Sequence, residues 1–314
     1  MSMNYKGWSS FSCFSSAEYC QTFLKKCYQR SNIKNPEQKS YENGYAFLYY
    51  LEHGQIYYEQ ADKSPIILKP ILLFYGLVHL IKACILTVDP AYPETTAVLA
   101  HGVSTRKRKK QNYDFFHDEV KLQKNGLFPF MSDVLFHMKH MEGDKVMMEE
   151  LLQLIPELDE LFYILLGKRT FKKLKKEGDI LIIPEEILDQ YHMTENRFKD
   201  FLASKIKKQV EFSNERLGVK LGLNMFLGSS PLKYNLEDKE WYFPLYKSNF
   251  FNYPELQIHY LLLYNLGMIA RYETEWWSEL TKMKPNHDYP FIDSFLQITI
   301  EKGPFLIYQY LMRS

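Results

Sequence analysis

Apolar positions across the first ninety or so residues recur at intervals of three and four, a period that predicts consecutive helices. Ser15 or Ser16 caps the first, which runs to about Arg30 with Phe23, Leu24 and Cys27 on one side. Asn35-Pro36 opens the second, which the pattern ends at Gly54, and a short aromatic helix, "QIYYEQADK", follows. Ser64-Pro65 opens the longest apolar helix, 65 to 87, with Pro70 inside its first two turns. Its apolar run "ILLFYGLVHLI", 71 to 81, stops at Lys82. A bilayer needs about twenty such residues, so the expected place for this helix is a core.

Residues 89 to 143 break the period. "DPAYPETT" is turn chemistry, the stretch "HGVSTRKRKK" follows, and "DEVKLQKNGLFPFM" has the strand, Asn-Gly, strand pattern of a hairpin. From Asp144 a helical period returns, with Pro156 as a break or kink. "KRTFKKLKKEGD" reads as a basic helix or linker, "ILIIP" as a short buried strand, and "PEEILDQY" and "TENRFKDFLASKI" as two short helices. Between Lys208 and Leu245 the period shifts towards two, which predicts a small antiparallel sheet. Asn252, with Glu255 in the capping-box position, then starts a long helix through "YPELQIHYLLLYNLGMIARYETEWWSEL". A last helix spans about Pro290 to Arg313 and has an interruption point at Gly303-Pro304.

These elements add up to a mainly α protein: a helical core of long apolar helices with one or two small inserted antiparallel β-sheets, α+β overall. The helices 65–87 and 254–280 are the natural core partners. No repeat and no long linker appears, so 1–314 reads as a single compact domain. It subdivides into 1–170 (helical part with basic loop and hairpin), 171–250 (small α/β insertion) and 251–314 (returning helices).

Charge narrows the partners. Thirty-nine basic against 38 acidic residues leave a net +1, so anion binding has to be local. Twenty-four Tyr and 22 Phe must fill a core, line a cleft, or both. Cys13, Cys20, Cys27 and Cys84 form no CxxC pair and no zinc spacing, which predicts reduced, mostly buried thiols and a cytoplasmic protein. The start "MSMNYKGWSSFSCFSS" is not signal-like, and no membrane association is expected.

Three places carry candidate chemistry. Arg106 to Lys110 are five consecutive cations, useless for packing, which face either water or an anion. As a solvated loop they do nothing specific; as a phosphate or nucleotide site Arg106 and Arg108 supply bidentate donors and Lys110 a point charge. There His101 and the hydroxyl of Ser104 flank the anion, and Gly102 lets backbone come close to it. Nucleic-acid contact is a third use of the same cations. Arg271 interrupts an apolar helix beside Tyr272, Trp276 and Trp277; an ion pair with Glu275 is the plain explanation, an anion or base-stacking site with Trp276 as a wall the functional one. Tyr75, His79 and Lys82 share one face of helix 65–87 and line a pocket, unless His79 is simply a satisfied core histidine. Phosphate-loop, dinucleotide, zincin and serine-elbow motifs are absent. His137 and His140 are too poorly supported by carboxylates to predict a metal, and no cofactor is expected.

The blocks "GYAFLYYLEHGQIYYEQADKSPIILKPILLFYGLVHLIKACIL", "AHGVSTRKRKKQNYDFFHDEVKLQKNGLF" and "MIARYETEWW", in that order, resemble the YaaC-like family of Gram-positive bacteria over nearly the whole chain. None of them is a catalytic signature. The family's members tend to be encoded beside the gene for IMP dehydrogenase, so the resemblance implies a link to guanine nucleotide synthesis. The chain is also distantly similar to HEPN-type helical proteins, many of them RNases in which a His closely follows an Arg. Here eight residues separate Arg108 from His117 and ten separate Arg106 from it, a departure from that pattern.

The expectation is therefore a cytoplasmic, non-enzymatic regulatory protein that recognises a purine nucleotide, or a protein partner such as IMP dehydrogenase. The ligand would meet His101, Gly102, Ser104, Arg106, Arg108 and Lys110, with Arg271 and Trp276 opposite. The alternatives are an RNA binder or ribonuclease with Arg108 and His117 at its centre, His117 acting on the ribose 2′-hydroxyl, and a scaffold without any ligand.

Overall fold

The computed structural model describes residues 5–105, 114–140, 142–205, 217–220, 231–248 and 250–312. Ser16 accepts a hydrogen bond from the Tyr19 amide and starts α1 (Ala17–Arg30). Proline near the first turn opens both α2 (Pro36–Lys63) and α3 (Lys69–Leu86). Then come β1 (Val103–Thr105), β2 (Glu119–Leu122), α4 (Leu127–Phe136) and β3 (Lys145–Met147). After these the chain forms α5 (Met148–Leu152), α6 (Asp159–Leu166), β4 (Phe171–Lys173), β5 (Lys175–Glu177) and β6 (Ile180–Ile182). It continues through α7 (Glu186–Tyr191), α8 (Glu195–Lys205), β7 (Gly218–Lys220), β8 (Lys233–Asn235) and β9 (Glu240–Pro244). It closes with α9 (Glu255–Tyr272), α10 (Thr274–Met283) and α11 (Asp288–Leu311).

The fold is mainly helical, α+β overall, and the described residues form three small antiparallel sheets, β1-β2-β3, β4-β9-β8 and β5-β6-β7. It divides into two compact units, Ser2–Met148 with His259–Ser314, and Glu149–Ile258.

In the first unit α3 packs on α2 and α11, and α1 on α2. Among the described helices α3 alone is long and apolar enough to cross a membrane, but 72% of it is buried inside the protein. Two glycines let α2 and α3 approach. At Gly54 a Cβ would lie 2.5 Å from the Leu80 side chain, and at Gly76 one would lie 2.7 Å from the Tyr58 ring. The far end of Tyr58 fills the space over Gly303 of α11. Gly54 is therefore a seat for a neighbouring side chain inside one 28-residue helix, and the expected helix end there is overturned. Gly303-Pro304 likewise lies within an uninterrupted α11.

In the second unit, Asp159 at the start of α6 holds the next strand. Its Oδ1 accepts from the Thr170 and Phe171 amides at 2.6 and 2.9 Å, and its Oδ2 accepts from Arg169 at 2.8 Å. The Tyr191 hydroxyl donates to the Pro244 carbonyl at 2.8 Å and ties α7 to the end of β9.

Five further expectations fail. The Asn-Gly pair at 125–126 makes no hairpin; it leads into α4, because the first amides of that helix find carbonyls at Ala100 and His101. The stretch expected as a helix from Asp144 starts with β3, whose partner is β2. The basic stretch 168–179 contains β4 and β5. The long C-terminal helix bends at Glu273 (φ −114, ψ 51) into α9 and α10, a turn that sinks Trp277 to 1% exposure with its Nε1 on the Ile67 carbonyl at 3.2 Å. Asn252 does not cap α9: its Oδ1 is buried without a hydrogen bond.

Candidate functional site

Five residues singled out by sequence meet in the first unit: Tyr75, His79 and Lys82 on α3, His101 in the turn before β1, and Arg271 near the end of α9. Arg271 Nη1 donates to the Tyr75 hydroxyl at 3.1 Å, while its Nε donates to the Gly267 carbonyl at 3.0 Å. The Tyr75 ring lies 6.2 Å from the His101 ring, which packs edge-on at 5.0 Å against Phe74 and lies tilted at 5.6 Å from Tyr264. On the other side of Tyr75, α2 contributes three residues at helical spacing. Tyr57 stacks on His79 at 5.6 Å, His53 meets it edge-on at 5.4 Å, and Tyr50 lies 6.0 Å from it. Lys82 sits over the Tyr50 ring at 5.7 Å.

The turn carrying His101 is fixed by backbone. The Leu127 and Phe128 amides at the start of α4 donate to the Ala100 and His101 carbonyls at 2.7 and 3.1 Å, and the buried Tyr260 hydroxyl donates to the His101 carbonyl at 2.8 Å. Gly102 (φ +77) and Gly126 (φ +124) lie backbone against backbone, leaving no room for a side chain at either. Gly102 thus brings β1 against α4: its close approach is to the protein's own backbone at Gly126, and not to a ligand as its sequence position suggests.

Electrostatically the cluster is one-sided. Burial lowers the pKa of His79 to about 4, helped by Lys82 and His53. His101 is lowered by burial, then by Arg271 and Lys82, which puts both cations within electrostatic reach of one imidazole. Burial also lowers Lys82. No carboxylate is among the groups acting on these three residues, and neither Lys82 nor Arg271 has an ion-pair partner among the described residues. The expected Arg271–Glu275 pair does not form, since the bend at Glu273 takes Glu275 onto α10. His79 Nδ1 is buried and has no hydrogen bond, so the satisfied core histidine is not what the structure contains.

Two half-buried cations with no counter-charge among the described residues, beside imidazoles and tyrosine rings, are equipped to hold an anion that carries a flat group. Guanidinium and ammonium donate charge-assisted hydrogen bonds, and the rings give a stacking face. Histidines that are neutral near pH 7 can donate or accept. A metal is a poor fit: the described residues contain no group of three or more ligating side chains. Nor are Cys20 and Cys27 activated thiols, because burial raises Cys27 to about 11 and Cys20 to about 12.

The other sequence candidates fall elsewhere. Arg106, Arg108 and Lys110 lie outside the described residues. The Ser104 hydroxyl accepts from Gln123 Nε2 at 2.7 Å. His117 is exposed and pairs with Asp114 at 2.7 Å. Trp276 lies on α10, past the bend, with Trp277 at 6.4 Å. His53, Tyr57, Tyr50 and Tyr264 were missed, although the i, i+3, i+7 spacing of Tyr50, His53 and Tyr57 marks one helical face.

Neither a curated protein nor a solved structure matches the chain. The family model described as YaaC-like protein matches residues 12–311 of the 314, and the chain belongs to that family.

Proposed function

We propose that this protein is a non-enzymatic regulatory protein that binds a purine nucleotide between α2, α3, α9 and the His101 turn. The observation that carries the reading is the pair Lys82 and Arg271, half-buried and without a carboxylate, on either side of stacked tyrosine and histidine rings. A desolvated cation without a counter-ion is costly to keep, and a bound phosphate is one way to offset that cost. In this reading Arg271 and Lys82 meet the phosphates, and Tyr57 and Tyr75 give the base a stacking face. IMP dehydrogenase, the partner implied by the family resemblance, remains a proposal within the same regulatory role.

The test is a thermal-shift panel of GTP, GMP, IMP, ATP and guanosine polyphosphates with a short RNA alongside. A nucleotide at a hundred times its dissociation constant adds about 2.7 kcal/mol, a shift of several degrees. Loss of that shift in Lys82→Ala and Arg271→Ala supports the site. A shift that survives both substitutions removes it.

A further inference from the structure

Another flank of α2 has a different chemistry. A 3-10 helix, Ser9–Ser15, lies along it, and between the two is a groove of about 310 Å³. Its floor is apolar: Trp8, Phe11 and Phe14 on one side, Leu48 and Leu51 on the other. Its α2 rim carries Glu52 and Glu59 with the side chain of Ile56, which is 49% exposed. Neither carboxylate has an ion pair among the described residues; Glu59 is met only by Gln55 Nε2 at 2.7 Å.

The groove opens onto a longer stripe. Tyr45, Tyr49, Glu52, Ile56 and Glu59 follow one another at steps of four, three, four and three, so all five lie on one face of α2. Tyr45 and Tyr49 are 53% and 51% exposed, with ring centroids 6.0 Å apart. From Tyr45 to Glu59 the stripe is about 21 Å long, four turns of helix. Isolated surface tyrosines need no explanation, but Tyr45, Tyr49 and Ile56 on one face, interleaved with two carboxylates and beside a groove lined by Trp8, Phe11 and Leu51, mark an interaction surface.

Charge decides what fits. The carboxylates of the rim would repel a nucleotide or an acidic segment. Lysine or arginine side chains would pair with Glu52 and Glu59 and lie over the tyrosine faces, while a leucine-like anchor enters the groove over Leu51 and Phe11. A helix in a groove, anchored at i, i+3/i+4 and i+7, has the matching length and period.

We propose that this face of α2 and the 3-10 helix Ser9–Ser15 dock a basic amphipathic helix, about fourteen residues long, of a partner protein. The surface is separate from the Lys82–Arg271 cluster and does not depend on it.

The test uses two labelled fourteen-residue helical peptides, with leucines at i, i+3, i+4 and i+7 and either lysines or glutamates elsewhere, read by fluorescence anisotropy on the full chain. The lysine peptide should bind wild type at least tenfold more tightly than the glutamate peptide. In Glu52→Lys/Glu59→Lys the preference should invert, and Ile56→Ser should weaken the lysine peptide several-fold. All three positions are on the surface; unchanged thermal melting confirms folding, and Glu52→Gln/Glu59→Gln replaces the reversal if it does not fold. No binding of the lysine peptide, or equal binding to wild type and to the charge-changed protein, would overturn the proposal.

Discussion

Arg271 and Tyr75 are 196 positions apart in the chain and share a hydrogen bond of 3.1 Å. That contact joins the end of α9 to the middle of α3 and points a guanidinium at the cluster around His79 and His101. Arg271 also donates to the Gly267 carbonyl and to Met268 Sδ, so three of its donors hold it in place and the remaining N–H groups are available to a ligand. Truncation to alanine should therefore lower nucleotide affinity by about 10- to 100-fold, the worth of hydrogen bonds to a charged group. Tyr75→Phe, which removes only the positioning oxygen, should cost about 3- to 10-fold. Isothermal titration of both variants with the best nucleotide from the panel checks the order; equal losses would mean that the Tyr75 hydroxyl bonds the ligand itself instead of positioning Arg271.

Protonation of His79 should couple pH to stability. Its pKa is about 4 in the folded chain against 6.5 as the ordinary value. Below pH 6.5 the unfolded chain takes up a proton that the folded chain refuses, so this contribution is complete at pH 7 and is lost as pH falls from about 6.5 to about 4. The side chain is partly open to water, and screening reduces the effect to about 1 kcal/mol. In His79→Phe that part of the pH dependence should disappear. Urea unfolding at pH 7 and pH 4.5, with the His79 ring proton followed by NMR, measures both sides of the linkage.

Gly102 and Gly126 touch through their backbones at positive φ. Alanine at either adds strain of about 1–3 kcal/mol, and forces apart the turn and the start of α4. A total cost of roughly 3 kcal/mol or more is expected, with loss of the nucleotide shift because His101 moves. Gly7 is the control. It also has positive φ, but a Cβ there meets nothing within 4 Å, so Gly7→Ala should cost only about 1 kcal/mol. Similar denaturation midpoints for Gly102→Ala and Gly7→Ala would show that the backbone contact contributes little.

The parts of the fold legible in the sequence are those set by local chemistry. Ser16 caps α1 and Pro36 opens α2, because capping and the proline ring act within one turn, whereas α3 begins at Lys69 with Pro70 in its first turn and not at Ser64-Pro65. The misreadings at Gly54, Gly126 and Glu273 share a cause. Each was read by its neighbours in sequence but is decided by a distant residue: Leu80 over Gly54, Ala100 and His101 at the start of α4, Ile67 under Trp277. The site shows the consequence. Tyr75, His79 and Lys82 stand out by spacing on α3, whereas ending α2 at Gly54 puts His53 and Tyr57 on separate elements and hides their common face. Arg271 and His101, expected on opposite walls of one ligand site, do meet, but Trp276, expected beside Arg271 on that wall, is carried past the bend onto α10, which no local pattern contains.

Asp159 offers a test confined to the Glu149–Ile258 unit. Its carboxylate is 7% exposed and satisfies two buried amides, Thr170 and Phe171, and also the Thr170 hydroxyl at 3.2 Å. Alanine leaves both amides buried without partners at about 1–3 kcal/mol each, so a loss of about 3 kcal/mol is expected. Asp159→Asn keeps one oxygen for the amides and should cost less. Arg169→Ala should cost under about 1 kcal/mol, because the guanidinium is well exposed and its pairs with Asp159 and Glu160 are screened by solvent. Amide hydrogen exchange reads the effect where it arises: Thr170 and Phe171 should be protected in wild type and in Arg169→Ala, and should exchange much faster in Asp159→Ala. If exchange at these two amides rises as much in Arg169→Ala, the ion pair rather than the carboxylate's amide bonds holds β4 to the start of α6.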